Sequence, residues 1–356
     1  MLKKIVFDDF VRLGRGFDLP DNKIVEGEYP VIASTNIKAF HCEYKVDPPV
    51  VVTGRSGSLG KVQYVTSKCW PLNTALYSKD CRSNVPQYIY YYLQTMHLEQ
   101  YNAGAGVPTL NQNHLQRLKI LVHEPSEQTI VASILAAYDN LIENNNKRIK
   151  ILERMAENLY KEWFVRFRFP NYQNTEFENG IPDGWRTVTL DSILSKIATG
   201  LNPRKNFVLG NGDNYYVTIK NMGDNNIYLD DRCDKVDDEA IIKINKRSDL
   251  RQGDLLFSGI GTIGRTYLIN IPTNNWNISE SVFTMRPKKI VSSEYLYMLL
   301  LSDDLQNYCQ AKANGSAQKG IRMAVLRKYT FLLAPIAIIE NFTKKARRIL
   351  NLISLI

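Results

Sequence analysis

Two strings in this chain hold residue types that do chemistry in other settings. Asp47-Pro48-Pro49-Val50 is one residue short of the Asp-Pro-Pro-aromatic string of amino-methyltransferases. In that chemistry the ring stacks on a flipped base, while the Asp and a backbone carbonyl hold its amino group. Valine has no ring, and no Gly-rich cofactor loop follows a suitable strand. The string therefore reads as the start of a strand over 50–53, and a stand-alone adenine methyltransferase using Asp47, Pro48 and Pro49 is kept only as an alternative. The second string, Gly54-Arg55-Ser56-Gly57-Ser58-Leu59-Gly60-Lys61, has the look of a nucleotide-phosphate loop. Such a loop needs four residues between its glycines and a hydroxyl after the lysine. Here five intervene between Gly54 and Gly60, and Val62 follows.

What does recur is the core of that string. Gly57-Ser58-Leu59-Gly60-Lys61 returns as Gly261-Thr262-Ile263-Gly264-Arg265, in each case reading as a tight strand-to-strand turn that ends in a cation. Two readings stay open. Either the glycines bring the backbone against a phosphate with Lys61 or Arg265 as counter-charge, or they close a turn beside a solvated base. No Ser/His/Asp, Cys/His or paired-carboxylate set recurs between the halves. A duplicated enzyme should duplicate its catalytic groups, so no catalytic residue is assigned. The five cysteines and four histidines are scattered, which gives no metal site and points to a reducing compartment.

The elements that position these turns are repeated too. Trp70 follows the first turn and Trp276 the second. Tyr88, Leu98 and Tyr101 have the same internal spacing as Tyr295, Leu305 and Tyr308. Between the halves, Leu135, Ile142, Ile149, Ala156 and Trp163 fall seven apart, with Tyr138, Asn145, Leu152 and Leu159 three residues later. This is a heptad seam on one helix over 125–166, roughly 60 Å long at 1.5 Å per residue. After Pro335, Ile339, Ala346 and Ile353 repeat the seven-residue step, with Phe342, Ile349 and Ile356 as companions. Asn145 is either a buried polar register key or a local irregularity in an Asn run.

The fold class expected is α+β: two similar α/β domains, at 1–124 and 187–334, forming a pseudo-twofold internal repeat. Long antiparallel coiled-coil helices at 125–166 and 335–356 separate them, and a Pro/Asn/Gly-rich linker lies at 167–186. The second helix is about half the length of the first. Part of the seam is thus left for another protein to cover.

The chain has 356 residues, 44% hydrophobic and 23% charged, with a formal net charge of +9. That composition suits globular domains, no stretch reaches the length of a membrane span, and the basic balance points to a polyanion. Two similar domains on a rod suit a target in two separated parts, such as duplex DNA. The DNA-contact candidates are Arg55 and Lys61 in the first domain, and Lys220, Asn221 and Arg265 in the second.

With the repeat, the heptads, Lys161-Glu162-Trp163-Phe164-Val165 and Gly180-Ile181-Pro182-Asp183-Gly184-Trp185 assembled, the chain resembles the specificity subunit of type I restriction–modification systems. The resemblance covers nearly the whole chain. It implies two target recognition domains, each reading one half of a split double-stranded DNA sequence across an unread spacer. It implies that the helices dock two modification subunits, through Leu135, Ile142, Asn145, Ile149, Leu152, Leu159, Ile339, Phe342 and Ile349. Those partners would supply S-adenosylmethionine and N6-adenine methyltransferase chemistry. Motor and nuclease restriction subunits would bring ATP and magnesium. No cofactor is expected on this chain, and the setting implied is the prokaryotic cytoplasm. Two departures are a first domain without its own Ile-Pro-x-Gly-Trp string and a short second helix. They leave a truncated or inactive specificity allele as the alternative.

Overall fold

The computed structural model describes residues 2–204, 206–223, 225–315 and 319–356. The chain forms two compact units, Met1–Asn144 and Asn145–Ile356. In the first, the strands are β1 (Lys3–Val6), β2 (Arg12–Arg15), β3 (Tyr29–Ile32), β4 (Ile37–His41), β5 (Val50–Gly54), β6 (Val62–Val65), β7 (Trp70–Pro71), β8 (Ala75–Asp80) and β9 (Lys119–Val122). The short helices are α1 (Phe7–Phe10), α2 (Pro86–Thr95) and α3 (Gln112–Gln116). Strands order as β2-β8-β5-β6, β4-β3-β7 and β1-β9. The run Val-Val-Val-Thr-Gly of β5 is buried along its whole length, as β-branched residues are in a strand flanked on both edges. Helix α2 starts with Pro86 in its first turn, where the missing N–H has no intrahelical partner to lose. Its Tyr88, Ile89 and Leu93 bury against Phe7, Phe10, Val51 and Leu76.

The long helix α4 (Pro125–Tyr160) has 36 residues, and five more, Lys161–Val165, extend it as a wider π turn. Its start is locked to the first unit by Gln128, which is fully buried. The Gln128 amide donates to Asn84 Oδ1 at 2.6 Å and to the His123 carbonyl at 2.8 Å, and its oxygen accepts from the Val85 N–H at 2.9 Å. One turn on, Ala132 enters the same core. The Tyr91 hydroxyl donates to Asp139 at 2.7 Å, and burial and that carboxylate together push the phenol's pKa up. The two halves of α4 thus belong to different compact units, dividing at Asn144 and Asn145. The helix is not a body of its own, because each half buries residues in a domain core.

The second unit adds a small hairpin, β10 (Phe177–Glu178) and β11 (Ile181–Pro182), then β12 (Arg186–Thr189), β13 (Leu194–Thr199), β14 (Asn214–Val217), β15 (Asp234–Val236), β16 (Leu255–Ser258), β17 (Thr266–Leu268), β18 (Trp276–Ile278), β19 (Val282–Pro287) and β20 (Thr330–Leu333). Its helices are α5 (Leu190–Ile193), α6 (Asp238–Ser248), α7 (Ser293–Leu301), α8 (Asp303–Lys312), α9 (Met323–Leu326) and α10 (Ile336–Ser354). The sheets order as β13-β19-β16-β17, β15-β14-β18 and β12-β20. Each is the first unit's sheet repeated strand for strand. The match extends to polarity: β3 runs antiparallel to β4 and parallel to β7, as β14 does to β15 and β18. Helix α6 has no counterpart in the first unit. Asp237 caps it by accepting from the Ala240 N–H at 2.8 Å, with acidic residues in its first turn and basic ones in its last.

The stretch 167–186, expected as a linker, is packed. Phe169 and Trp185 are buried in the second unit's core, and Trp185 lies 5.0 Å from Phe167 and 6.0 Å from Phe164 between ring centres. Its Pro, Asn and Gly serve the hairpin: Asn179 and Gly180 both take positive φ at the turn. The aromatics outweigh the loop-like composition around them.

Candidate nucleic-acid interface

The repeated turns sit between equivalent strands, β5–β6 and β16–β17. Gly57 and Gly60 take φ of 84° and 88°, and Gly261 and Gly264 take 73° and 96°. That is the left-handed region, where a side chain is strained. In the first unit the loop is backed by its neighbours. The Arg55 N–H donates to the Thr74 carbonyl at 2.8 Å, the Gly57 N–H to the Pro108 carbonyl at 2.9 Å, and the Leu110 N–H to the Arg55 carbonyl at 2.8 Å. In the second, the turn closes on Ser258, the last residue of β16. There the Ser258 hydroxyl donates to the Thr262 carbonyl at 2.5 Å and accepts from the Arg265 N–H at 2.8 Å.

The candidate contact residues separate once placed. Lys61 and Lys220 are exposed and form no ion pair among the described residues. Arg55 is half-buried and donates one guanidinium nitrogen to the Asn73 carbonyl at 3.2 Å. Arg265 points inward: its guanidinium donates to the Met222 carbonyl and, at 3.5 Å, to the Ile219 carbonyl. It braces the single 3-10 turn Ile219–Asn221.

Asn221 is a correction. It is 2% exposed and its side chain is held from inside the fold. Its oxygen accepts from the Thr218 N–H and hydroxyl, both at 2.9 Å, and its amide donates to the Arg232 carbonyl at 2.9 Å. Asn221 closes a capping box, and its burial keeps the amide from a base edge. The Asp47 string is equally plain. Val50 is 1% exposed at the start of β5, and Asp47 faces Lys68 at 3.9 Å.

The heptad seam divides along its length. In the second unit, Ala156, Tyr160, Trp163 and Phe164 are buried together with Ile339, Phe342 and Ala346. The Phe342 ring lies 6.1, 5.9 and 4.9 Å from those of Tyr160, Trp163 and Phe164. Farther along, Leu350 and Ile353 line one cleft with Asn146 and Ile149. The early part of α10 thus meets the late part of α4, and the helices run antiparallel. Burial drives the Tyr160 phenol well above its usual pKa.

The companion position differs from the expected one. Tyr160, not Leu159, faces the core; Leu159 and Ile349 pack at its rim, and Leu152 is half-buried. The second unit's sheet and helices share this core, so the late part of α4 packs on the domain as well as on α10. Asn145 is half-buried and accepts from Arg148 at 3.3 Å, one turn along its own helix. Earlier on α4 the apolar face is open: Leu135 is 38%, Ile142 58%, Tyr138 63% and Ile134 52% exposed.

Among the described residues no group of His, Cys, Asp and Glu is placed to hold a metal ion, and no helix is long and apolar enough to cross a membrane. What the geometry offers is a glycine turn repeated in two domains, ending in the exposed Lys61 in the first and the inward Arg265 in the second, and an open apolar helix face.

Comparison with known proteins gives the same division. The family model described as "Type I restriction modification DNA specificity domain" matches residues 7–154 and again 182–345. The MjaIX specificity subunit, a type I restriction enzyme component of Methanocaldococcus jannaschii, is 33% identical over 147 residues, 39% of this chain and 34% of that protein. The MjaVIII specificity subunit of the same organism is 29% identical over 110 residues, 30% of this chain and 26% of that protein. The matched stretches therefore span only about a third of these relatives' length. The crystal structure of a type I restriction–modification S subunit from M. genitalium aligns over 99% of this chain and 92% of its own, with a TM-score of 0.63 at 15% identity. That likeness is one of fold.

Proposed function

The chain belongs to the family of type I restriction modification DNA specificity domains, and from that premise we propose that it is the DNA sequence-specificity subunit of a type I restriction–modification complex. Each domain reads one half of a split double-stranded DNA sequence, and the bases between the halves go unread. The observation that carries this reading is the strand-for-strand repeat of one domain plan. One fold present twice, with different side chains, is what a two-part target asks for.

The chain itself is non-catalytic on this reading. Two modification subunits dock on the helices, with the open face at Ile134, Leu135, Tyr138 and Ile142 as the apolar contact. They bring S-adenosylmethionine and N6-adenine methylation; restriction subunits bring ATP- and magnesium-dependent chemistry. The assembly works in the prokaryotic cytoplasm. Lys61 and Lys220 supply phosphate contacts, and such contacts make affinity fall with salt because counterions are released.

The test is duplex binding by the chain purified with its co-expressed modification subunit, across a series of salt concentrations. A linear fall of log affinity with log salt, together with preference for one split sequence, is the expected result. Affinity for duplex that is absent or indifferent to salt would contradict the proposal.

A further inference from the structure

The repeat preserves one cleft in both domains while changing its chemistry. In the first domain the cleft lies where β2 meets β8, at Arg15 opposite Leu76, and where Ser56 bridges to Thr109. In the second, the equivalent places are Thr199 opposite Phe283 and the bridge of Ile260 to Gly320. Both sites are open concavities, of about 330 Å³ in the first domain and about 490 Å³ in the second.

Their linings have little in common. The first presents Arg15, Arg55, Thr109, Asn111, Gln112 and Asn113, and no carboxylate among the described residues lines it. Arg15 is exposed, and its side chain has no hydrogen bond or ion pair among the described residues. The Arg55 guanidinium has, among the described residues, only its contact with the Asn73 carbonyl. The Gln112 side-chain oxygen is buried without a hydrogen-bond partner, a state that costs free energy unless a donor arrives. The second presents Ile260, Phe283, Asn314, Arg322 and Met323, an apolar floor with one exposed cation. The glycine turn beside each cleft keeps its backbone geometry, so the frame is conserved where the lining is not.

We propose that these paired clefts are the base-reading sites of the two domains, an inference that rests on the DNA-specificity reading above. The first cleft takes a guanine. An arginine fork matches the paired N7 and O6 acceptors of guanine in the major groove, while the neighbouring amides complete the hydrogen bonding. The second takes a thymine, whose methyl group meets Ile260, Phe283 and Met323.

The experiment selects sequences from a randomised duplex library with the full chain, co-purified with its modification subunit, and with its Arg15→Ala, Arg15→Lys and Met323→Gln variants. Arg15 is exposed and unpaired, so its variants keep the fold. Arg15→Ala should weaken selection for guanine at one position of one half-site by about ten- to a hundredfold and leave the other half-site unchanged. Arg15→Lys should not restore it, because the ammonium lacks the fork. Met323→Gln should relax a thymine position in the opposite half-site. Uniform weakening over all sequences with a shallower salt dependence would assign Arg15 to a phosphate and overturn the base-reading proposal. Unchanged selection in all variants would overturn it as well. A wild-type chain that selects no sequence would instead remove the DNA-specificity reading on which the proposal rests.

Discussion

Gln306 reaches across to Gly264: its amide donates to the Gly264 carbonyl at 3.1 Å, and its oxygen stands 2.0 Å from where a Cβ on residue 264 would lie. In the first domain Glu99 holds the same position over Gly60, at 2.6 Å. Gly264 is therefore required twice, by its positive φ and by the hydrogen-bonded Gln306 side chain packed over it, while at Gly60 only the movable carboxylate end of Glu99 stands in the way. Gly57 is required once, since nothing lies within 4 Å of its would-be Cβ. Gly264→Ala should destabilise the protein by roughly 1–3 kcal/mol, and Gly57→Ala by about 1 kcal/mol, measured by denaturant unfolding. Equal losses at the two positions would argue against a packing role for Gln306.

Asn221→Ala removes a cap, not a reader. Loss of the capping interactions should cost about 1–2 kcal/mol of stability. The sequence selected from a duplex library should stay the same. A change at one base position, with stability unaltered, would show that the buried amide is not the structural group its three partners make it.

Arg265 and Lys61 end equivalent turns and should behave differently. Lys61→Ala should lower the slope of log affinity against log salt by about 1, the mark of one lost phosphate contact. Arg265→Ala should leave the slope alone and cost about 1.5–3 kcal/mol of stability, the range for hydrogen bonds from a charged group. Reversed results would mean that the Arg265 guanidinium leaves Met222 and Ile219 when DNA binds.

Phe342 joins α10 to the end of α4. Its ring is fully buried, so Phe342→Ala should cost about 3–5 kcal/mol and release α10 to early proteolysis. Unaltered stability of the second unit would show that α10 is held by other contacts.

The repeat was legible because the residues that reveal it are constrained by the fold. Positive φ selects glycine at 57, 60, 261 and 264. Full burial fixes Leu98, Leu305 and Trp276, and near-full burial fixes Tyr88 and Trp70. The long helix was legible from its period, but the shift from Leu159 to Tyr160 was not. A heptad register assumes a helix partner, while the late part of α4 packs on a whole domain and ends in a π turn. Helix α6 went unread although Asp237 and the acidic pair after it announce its start. The direction of Arg265 and the burial of Asn221 were out of reach, because they depend on where Ile219, Met222 and Arg232 come to lie in space. Arg15 carried no signal of its own; only the cleft it lines singles it out.

On the proposed function, two domains on this chain direct adenine methylation to a split sequence. Co-expression with the cognate modification subunit in a methylation-free host, followed by genome-wide mapping of N6-methyladenine, tests it most directly. One bipartite motif with methylated adenine in both halves is expected, and replacement of residues 1–124 by those of another family member should change one half alone. Absence of methylation, with no co-purification of the two subunits, would contradict it.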